Sequence, residues 1–344
     1  MRRFLHWPTI CLIGALAVLP WMSRFSLYLF YMFAIASISS LALNLMIGYA
    51  GQISFAQGAL IGVGAYTCGL LSNAGFDVGA LVAAGVVTAG FSVLIGFPSL
   101  RLHGLYFAMA TLAAQFILEY LFKNLDPITR GMSGLMIGTP HFFGIRIESD
   151  LSYAVSSVVL LYLAWVVCTN IVHSDLGRGF MVVRDSEVVA RGMGLDPPRL
   201  KFWCFLVSGF FTGVAGGMLG IVLRFAHPET FGLNMSIDYV AMIIMGGLGS
   251  LGGSLIGAVF VTLIPEAIQR LGEGLPLADR LFALREITFG MLVILFLIFE
   301  PRGLMSIFHS AMRPFTNRFV QAKRVEPASP VSGEEKKFQI DEGS

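Results

Sequence analysis

The feature that most constrains this chain is a succession of long apolar segments along most of its 344 residues. A helix needs about 20 apolar residues to cross a bilayer. Ten candidate segments approach or meet that length, and they cover roughly residues 8–22, 26–47, 53–72, 78–98, 104–122, 151–173, 201–223, 237–247, 253–269 and 285–299. Helices are expected because lipid offers the backbone no hydrogen-bonding partners. The segments also lack the alternation of apolar and polar residues that is typical of barrel strands. The sequence predicts an all-α membrane protein, a polytopic bundle of about 8–10 transmembrane helices.

Composition and charge agree with this class. Hydrophobic residues make up 56% of the chain and charged residues 13%, whereas about a quarter of the residues in a soluble domain are charged. The net charge of +2 points to no nucleic-acid partner. The cysteines lie singly in apolar runs without metal-ligand spacing, so we expect small buried side chains and no metal site.

The first segment and the glycine-rich segment 246–253 are the least regular parts of this pattern. Residues 8–22 are interpreted as a membrane helix rather than a signal peptide, because no small-residue cleavage site follows. The eighth and ninth segments, joined by residues 246–253, are two short helices or one broken helix. With ten spans, 15 Lys and Arg residues fall on one side and 8 on the other, which predicts that both termini are cytoplasmic.

Two regions lie outside the predicted spans. The charged loop at about 174–200 belongs to the domain 1–312, which holds the spans. The polar tail 313–344 contains too little apolar surface to fold alone and is predicted to be a disordered cytoplasmic tail.

Several uncharged polar residues fall at membrane depth near the second and third segments. They are Asn44, Gln52, Ser54 and Gln57, and such groups must face other helices or water. Either they form hydrogen bonds between helices or they line a route for a polar, uncharged solute, and the sequence favours neither. Charges are scarce within the spans and lie near predicted helix ends, which argues against a carrier coupled to protons or sodium.

Glycines recur at helical spacing within the spans. Small residues four positions apart let neighbouring helix backbones approach closely. The glycines predicted to pack in this way are Gly58, Gly62, Gly213, Gly217, Gly249 and Gly253.

The loop carries an amphipathic pattern over residues 176–196, where apolar residues alternate with charges of both signs. This predicts a short helix, which ends at Gly192 and Gly194 before Pro197 and Pro198. The helix either lies on the bilayer or docks in a groove of a partner. Its mixed charge favours docking, since a helix bound to lipid would gain from more Lys and Arg.

Sequence motifs for catalysis are absent. The chain contains no GxxxxGK[ST] phosphate loop, no GxSxG and no HExxH, so no catalytic residue is predicted and the chain is not expected to be an enzyme.

Four ordered blocks carry a family resemblance. They are residues 44–67 (NLMIGYAGQISF, then Gly58 and GVGAYT), residues 104–112 (GLYFAMATL), residues 176–194, and residues 245–253 (MGGLGSLGG). Together they resemble the LivM-type permease subunits of branched-chain amino-acid ABC importers over about residues 30–305. Two departures stand out: Gln57 occupies a position where many relatives have His, and Val188-Val189 replaces small alanines.

The resemblance implies a bacterial inner-membrane importer with several subunits. Expected partners are a homologous second permease, two cytoplasmic ABC ATPases, a periplasmic solute-binding protein and the lipid bilayer. The partners would use ATP, and this chain would hold no cofactor.

The resemblance also implies roles for two residue sets. The candidate pathway residues are Asn44, Gln52, Ser54, Gln57 and Tyr66. The loop would be a short cytoplasmic coupling helix that rests in a cleft of one ATPase and includes Arg178, Arg184, Asp185, Glu187, Gly192 and Gly194. Arg184 and Glu187 would make the charge contacts, and the two glycines would let the chain turn back to the membrane. The expected solute is a branched-chain or other small neutral amino acid. Alternatives are a permease for urea or short amides, or an autonomous secondary carrier.

Overall fold

The structure is a computed structural model that describes residues 18–100, 102, 104–138, 141–142, 145–146 and 149–272, with a few isolated positions elsewhere. Most of the first predicted span, most of the tenth predicted span and the tail 313–344 lie outside the described residues.

Ten helices of six residues or more run through the described part of the chain. In chain order they are α1 Arg24–Asn44, α2 Gln57–Asn73, α3 Asp77–Gly96, α4 Leu105–Asn124, α5 Asp150–His173, α6 Asp175–Asp185, α7 Glu187–Gly192, α8 Pro197–Leu223, α9 Leu233–Gly246 and α10 Leu251–Gly272. A five-residue π-helical segment, Leu45–Tyr49, extends α1. Short 3-10 turns occur at Leu19–Trp21, Phe97–Leu100, Gly131–Ser133 and Pro228–Phe231, and one helical turn occurs at Asp126–Thr129.

The predicted class, an all-α polytopic membrane protein, is confirmed. Among the described residues, five helices are long and apolar enough to cross a membrane, and they cover Arg24–Tyr49, Gly79–Leu100, Leu105–Asn124, Asp150–His173 and Pro197–Leu223. Helix α2, at 17 residues, and α9, at 14, are shorter. The number of spans therefore stays a prediction.

Helices α1 and α8 occupy the centre of the bundle. Helix α8 packs against α1, α2 and α3, and α1 also packs against α5 and α10. In the most apolar part of α1, 83% of residues are buried within the protein. A helix that is apolar on all sides suits this central position.

Four short strands lie outside the helices in the part of the chain that the structure describes. Strand β1 (Leu135–Met136) pairs antiparallel with β4 (Phe225–Ala226), and β2 (His141–Phe142) pairs with β3 (Ile145–Arg146). The first pair joins the segments that follow α4 and α8. Asn73, the last residue of α2, donates from its side chain to the carbonyl of Met136. These contacts hold one end of the bundle together.

Two sequence predictions of helix boundaries are corrected. The third predicted span begins at Gln57 rather than at residue 53, because Gly51 adopts φ +69° and the chain stays non-helical through residue 56. The segment predicted to form one amphipathic helix is two helices, since Ser186 is extended between α6 and α7. The Ser186 side chain accepts from the amide of Val189 and so caps α7.

The glycine-rich segment and the two prolines have defined places. Helices α9 and α10 are separate and are joined at residues 247–250, where Gly247 and Gly249 have positive φ. Pro197 does not stop a helix but begins α8. The first helical position tolerates proline because its missing N–H would have had no partner within the helix.

Candidate functional site

The chain between α1 and α2 leaves the helical conformation within the bundle. The amides of Ala50 and Gln52 still donate to the π-helical segment, to the carbonyls of Leu45 and Met46. Residues 51–54 then follow without helical structure, and α2 begins only at Gln57. An irregular segment in a membrane protein requires partners for its backbone groups from the protein itself.

Side chains of other helices provide those partners at the start of α2. Thr111 Oγ1 accepts from the amide of Phe55 at 3.0 Å. Ser236 Oγ accepts from the amide of Gly58, and Gln115 Oε1 accepts from the amide of Ala59, each at 2.8 Å. All three side chains are fully buried. The first amides of a helix have no partner within it, so α4 and α9 supply the caps that this helix start needs.

Gln115 is the centre of this group. Its Oε1 also accepts from the hydroxyl of Ser236 at 3.0 Å, and its Nε2 donates to the carbonyl of Phe231 at 2.9 Å. One amide side chain thus connects α2, α4, α9 and the turn before α9. The sequence analysis missed Gln115, Thr111 and Ser236. The rule that selected Gln57 would have found Gln115, a single uncharged amide within an apolar span.

Gln57 forms hydrogen bonds between helices. Its Nε2 donates to Ser39 Oγ at 2.8 Å and to Thr212 Oγ1 at 3.0 Å. These partners lie on α1 and α8, and the Gln57 side chain is fully buried. The two alternatives for Gln57 were hydrogen bonds between helices and lining of a solute route. The structure shows the hydrogen bonds between helices.

Asn44 joins α1 to the turn between α9 and α10. Its Nδ2 donates to the carbonyl of Ser250 at 2.8 Å and to Ser254 Oγ at 2.7 Å. Its Oδ1 accepts from the amide of Gly249 at 2.9 Å. The glycine-rich turn therefore receives much of its backbone hydrogen bonding from one buried side chain.

The other candidate pathway residues make local or aromatic contacts. Gln52 Nε2 donates to the carbonyl of Ala50 at 3.4 Å, and Ser54 Oγ accepts from the amide of Ala56 at 3.3 Å. The Tyr66 ring packs on Phe122 and Phe231, with ring centroids 4.9 and 5.9 Å apart. Across the described residues, no hydrogen bond joins two of the five candidates, so their role in a pathway stays a prediction.

The glycines singled out for packing all lie close to other elements. A Cβ on Gly213 would stand 2.4 Å from the carbonyl oxygen of Ala84, and one on Gly253 would stand 2.5 Å from that of Gly246. The corresponding nearest distances are 2.7 Å for Gly58 and Gly62, 3.1 Å for Gly217 and 3.3 Å for Gly249. Gly213 lets α3 approach α8 closely, and Gly253 lets α10 pack against the end of α9.

Arg184, near the end of α6, points into its own chain. Its Nη1 donates to the carbonyl of Gly48 at 2.8 Å, and its Nε donates to Asp185 Oδ1 at 3.1 Å. The side chain is 39% exposed. The expectation placed this charge on an ATPase, whereas here the guanidinium binds the carbonyl at the end of the segment that extends α1.

Glu187, the first residue of α7, also makes an internal contact. Its Oε1 lies 2.5 Å from Lys201 Nζ, and the same nitrogen donates to the carbonyl of Ser99 at 2.7 Å. Arg191 Nη2 lies 3.9 Å from the other carboxylate oxygen of Glu187, Oε2. Lys201 is 2% exposed, so a buried ion pair fixes α7 to α8. A contact of Arg184 or Glu187 with an ATPase stays a prediction.

Several other residues of α6 and α7 and of the chain after them face outward. Arg178 pairs with Asp175 at the start of α6, and both side chains are exposed. Gly192 ends α7, and Gly194 has φ +78°, which turns the chain toward α8. Val188, Val189 and Met193 are 80%, 50% and 68% exposed. This segment thus has one face bonded to the bundle and another that presents apolar side chains.

Within the described residues, no group of three His, Cys, Asp or Glu side chains could hold a metal ion. The described polar clusters consist of amides, hydroxyls and backbone groups, together with the ion pairs of α6 and α7. They are suited to hydrogen bonding and to coupling between elements.

Comparison with known proteins agrees with this architecture. The chain is 30% identical to the high-affinity branched-chain amino acid transport system permease protein LivM of Salmonella typhimurium over 311 residues, 82% of this chain and 70% of that protein. The LivM protein of Escherichia coli is 29% identical, over 78% of this chain and 67% of its own length. The ribose import permease protein RbsC of Haemophilus influenzae is 27% identical over 47% of this chain and 52% of its own. No solved structure matches.

The sequence model of one family matches residues 25–299, and that family is described as the permease component of the branched-chain amino acid transport system. This match spans α1 to α10, including the non-helical residues before α2 and the short helices α6 and α7. The family comprises transport permeases and is not a class of enzymes. The chain therefore belongs to the branched-chain amino acid transport permease family, as a multi-pass protein of the inner membrane.

Proposed function

We propose that the chain is the membrane-spanning subunit of an ATP-driven importer that carries branched-chain or other small neutral amino acids. It works with a homologous second permease, two cytoplasmic ABC ATPases and a periplasmic solute-binding protein. The ATPases bind and hydrolyse ATP. Both termini lie in the cytoplasm.

The exposed apolar face formed by Val188 and Val189 of α7 and by Met193 at its end is the observation that carries this proposal. Val188 and Met193 are 80% and 68% exposed, although they lie on a charged segment between two spans. Exposed apolar side chains grouped in this way mark a surface that another protein or the membrane covers, and the mixed charge of this segment favours a protein partner. The opposite face is bonded to the bundle through Arg184 and Glu187. A permease driven by a separate ATPase requires such a docking surface, whereas an autonomous carrier does not.

The polar groups at the start of α2 support a neutral solute. Gln57, Gln115 and Ser236 are uncharged and fully buried. Coupling to protons or sodium generally relies on ionisable side chains at depth, so an energy source outside the membrane domain fits better. Similarity to the two LivM proteins supports branched-chain amino acids, and similarity to RbsC is the reason to test other solutes.

Uptake by the assembled transporter in proteoliposomes tests the proposal. Labelled leucine is the first solute, with labelled urea and ribose in parallel, each with and without ATP on the ATPase side. ATP-dependent leucine uptake is expected. Uptake of urea or ribose but not of leucine would show that the solute is not an amino acid. Leucine uptake without ATP would establish an autonomous carrier.

A pair of variants tests the docking surface. Val188→Asp combined with Met193→Asp places charge on the exposed face, and we expect the ATPase no longer to copurify. Met132→Asp is the matched control, because Met132 is 54% exposed and precedes β1. Normal copurification and uptake by the double variant would show that this face does not dock the ATPase.

A further inference from the structure

The side chain of Arg184 lies among three glycines from two membrane elements. Its Nη1 donates to the carbonyl of Gly48. A Cβ on Gly51 would stand 2.6 Å from Arg184 Cγ and 3.2 Å from Arg184 Cα. A Cβ on Gly249 would stand 3.5 Å from Arg184 Nη1. Helix α6 therefore touches both the discontinuous segment after α1 and the turn between α9 and α10.

These two membrane elements are already bonded to each other. The amide of Gly249 donates to Asn44 Oδ1, and a Cβ on Gly48 would stand 2.4 Å from the nitrogen of Gly249. Asn44 lies one turn before Gly48, so Arg184 contacts the point where the two elements meet. A displacement of Arg184 would act on both together.

The chemistry of the contact suits an arginine. The last carbonyls of a helix have no partner within it and carry partial negative charge, so a cation is stabilised there. The planar guanidinium donates in two fixed directions, to Gly48 in one and to Asp185 in the other. Gly51 and Gly249 both have positive φ, and their lack of a Cβ leaves the space that this side chain fills.

Helices α6 and α7 are bonded to different parts of the bundle. Arg184 joins α6 to the end of α1, whereas Glu187 joins α7 to Lys201 on α8. Ser186 between them is extended, with φ −164° and ψ 119°. A single extended residue therefore separates two helices that have different contacts with the bundle.

We propose that Arg184 is a positioning residue that transmits movement of α6 to residues 48–56, which lead from the π-helical segment to α2, and to the turn 247–250, through a contact within this chain. It does not dock the ATPase. This inference rests on the proposed function for the source of the movement, but the contact itself can be tested without transport. Movement of α6 away from the bundle would release Gly48, loosen the turn and so reach the start of α2.

Hydrogen exchange in the assembled transporter tests the contact. Arg184→Met keeps a similar length and loses the donors, and it is compared with wild type and with Arg199→Ala, whose arginine is 84% exposed. We expect the amides of Gly51, Gln52 and Gly249 to exchange about tenfold faster in Arg184→Met alone. The amides of Gly58 and Ala59 serve as the internal reference. Wild-type exchange at all three amides would overturn the proposal.

Coupling in proteoliposomes tests the consequence. Arg184→Met should retain the ATPase and hydrolyse ATP at the wild-type rate while leucine uptake falls about tenfold or more. Arg184→Lys keeps a charged donor, so its leucine uptake should lie between that of wild type and that of Arg184→Met. It serves as the test variant if Arg184→Met does not fold. Loss of the ATPase from a folded Arg184→Met protein would make Arg184 a docking residue and overturn the inference. If wild type shows no ATP-dependent uptake of any solute, the proposed function fails, whereas the exchange rates still decide the contact.

Discussion

Lys201 and Glu187 form an ion pair in which the ammonium nitrogen lies 2.5 Å from a carboxylate oxygen, with the lysine almost completely buried. The same nitrogen donates to the carbonyl of Ser99. One ammonium group therefore joins α7, α8 and the turn after α3. Because α7 leads from the exposed apolar face to α8, this pair fixes the position of that face relative to the bundle.

Removing one partner of this pair should cost more than removing both. Glu187→Ala leaves a buried ammonium without its carboxylate, which typically costs about 3–5 kcal/mol. The double variant Glu187→Ala with Lys201→Met buries no charge at this position and should recover much of that loss. Thermal unfolding of the single and double variants in detergent measures the difference. Equal midpoints for Glu187→Ala and the double variant would show that the lysine finds another partner.

Gln115 should be more important for stability than Gln52. Gln115→Met leaves the amide of Ala59 and the carbonyl of Phe231 without their partner, and each unsatisfied buried group costs about 1–3 kcal/mol. Gln52 makes one hydrogen bond, at 3.4 Å to a carbonyl two residues away, so Gln52→Met should cost less than about 1 kcal/mol. Thermal midpoints in detergent compare the two variants directly. A larger loss for Gln52→Met would mean that the caps at the start of α2 are dispensable.

The sequence predicted the helical class because ten apolar segments leave few alternatives in lipid. It also selected Asn44 and Gln57 by their polarity, and both make buried hydrogen bonds between helices. It could not predict their partners, because Ser254 and Thr212 are 210 and 155 residues away along the chain. Only the packing of the bundle brings such groups together.

The segment that forms α6 and α7 shows another limit of pattern analysis. Its amphipathic periodicity continues across Ser186, so the pattern predicted one helix. The extended conformation of Ser186 divides it into two, and the direct contacts of Glu187 with Lys201 and of Arg184 with Gly48 fix each part separately. Arg184 and Glu187 were selected because they are charged. Their internal partners are a backbone carbonyl and a buried lysine, and neither is recognisable from local sequence.

Gly213 should not accept a methyl group, whereas Gly90 should. A Cβ on Gly213 would stand 2.4 Å from the carbonyl of Ala84, which cannot move without shifting α3, but nothing lies within 4 Å of a Cβ on Gly90. Gly213→Ala should therefore lower stability by about 1–3 kcal/mol, as overpacking typically does. Gly90→Ala should raise it by about 0.5–1 kcal/mol through helix propensity. Thermal midpoints and folded yield measure both, and equal values for the two variants would contradict close packing of α3 on α8.

Asn44 and Asn73 provide the closest matched comparison in the chain. Each donates to a backbone carbonyl and accepts from a glycine amide, Asn44 at the turn before α10 and Asn73 at residues 136–138. Asn44 is fully buried, whereas Asn73 is exposed. Asn44→Ala should cost about 3 kcal/mol, because Gly249 and Ser250 lose a partner that neither lipid nor water can replace. Asn73→Ala should cost less than about 1 kcal/mol, since water can bond the freed groups.

Hydrogen exchange at the Gly249 amide adds a local measurement, and Asn44→Ala should accelerate it while Asn73→Ala should not. If the two variants unfolded at the same temperature and Gly249 exchanged at the wild-type rate in both, the turn between α9 and α10 would be held by contacts other than Asn44.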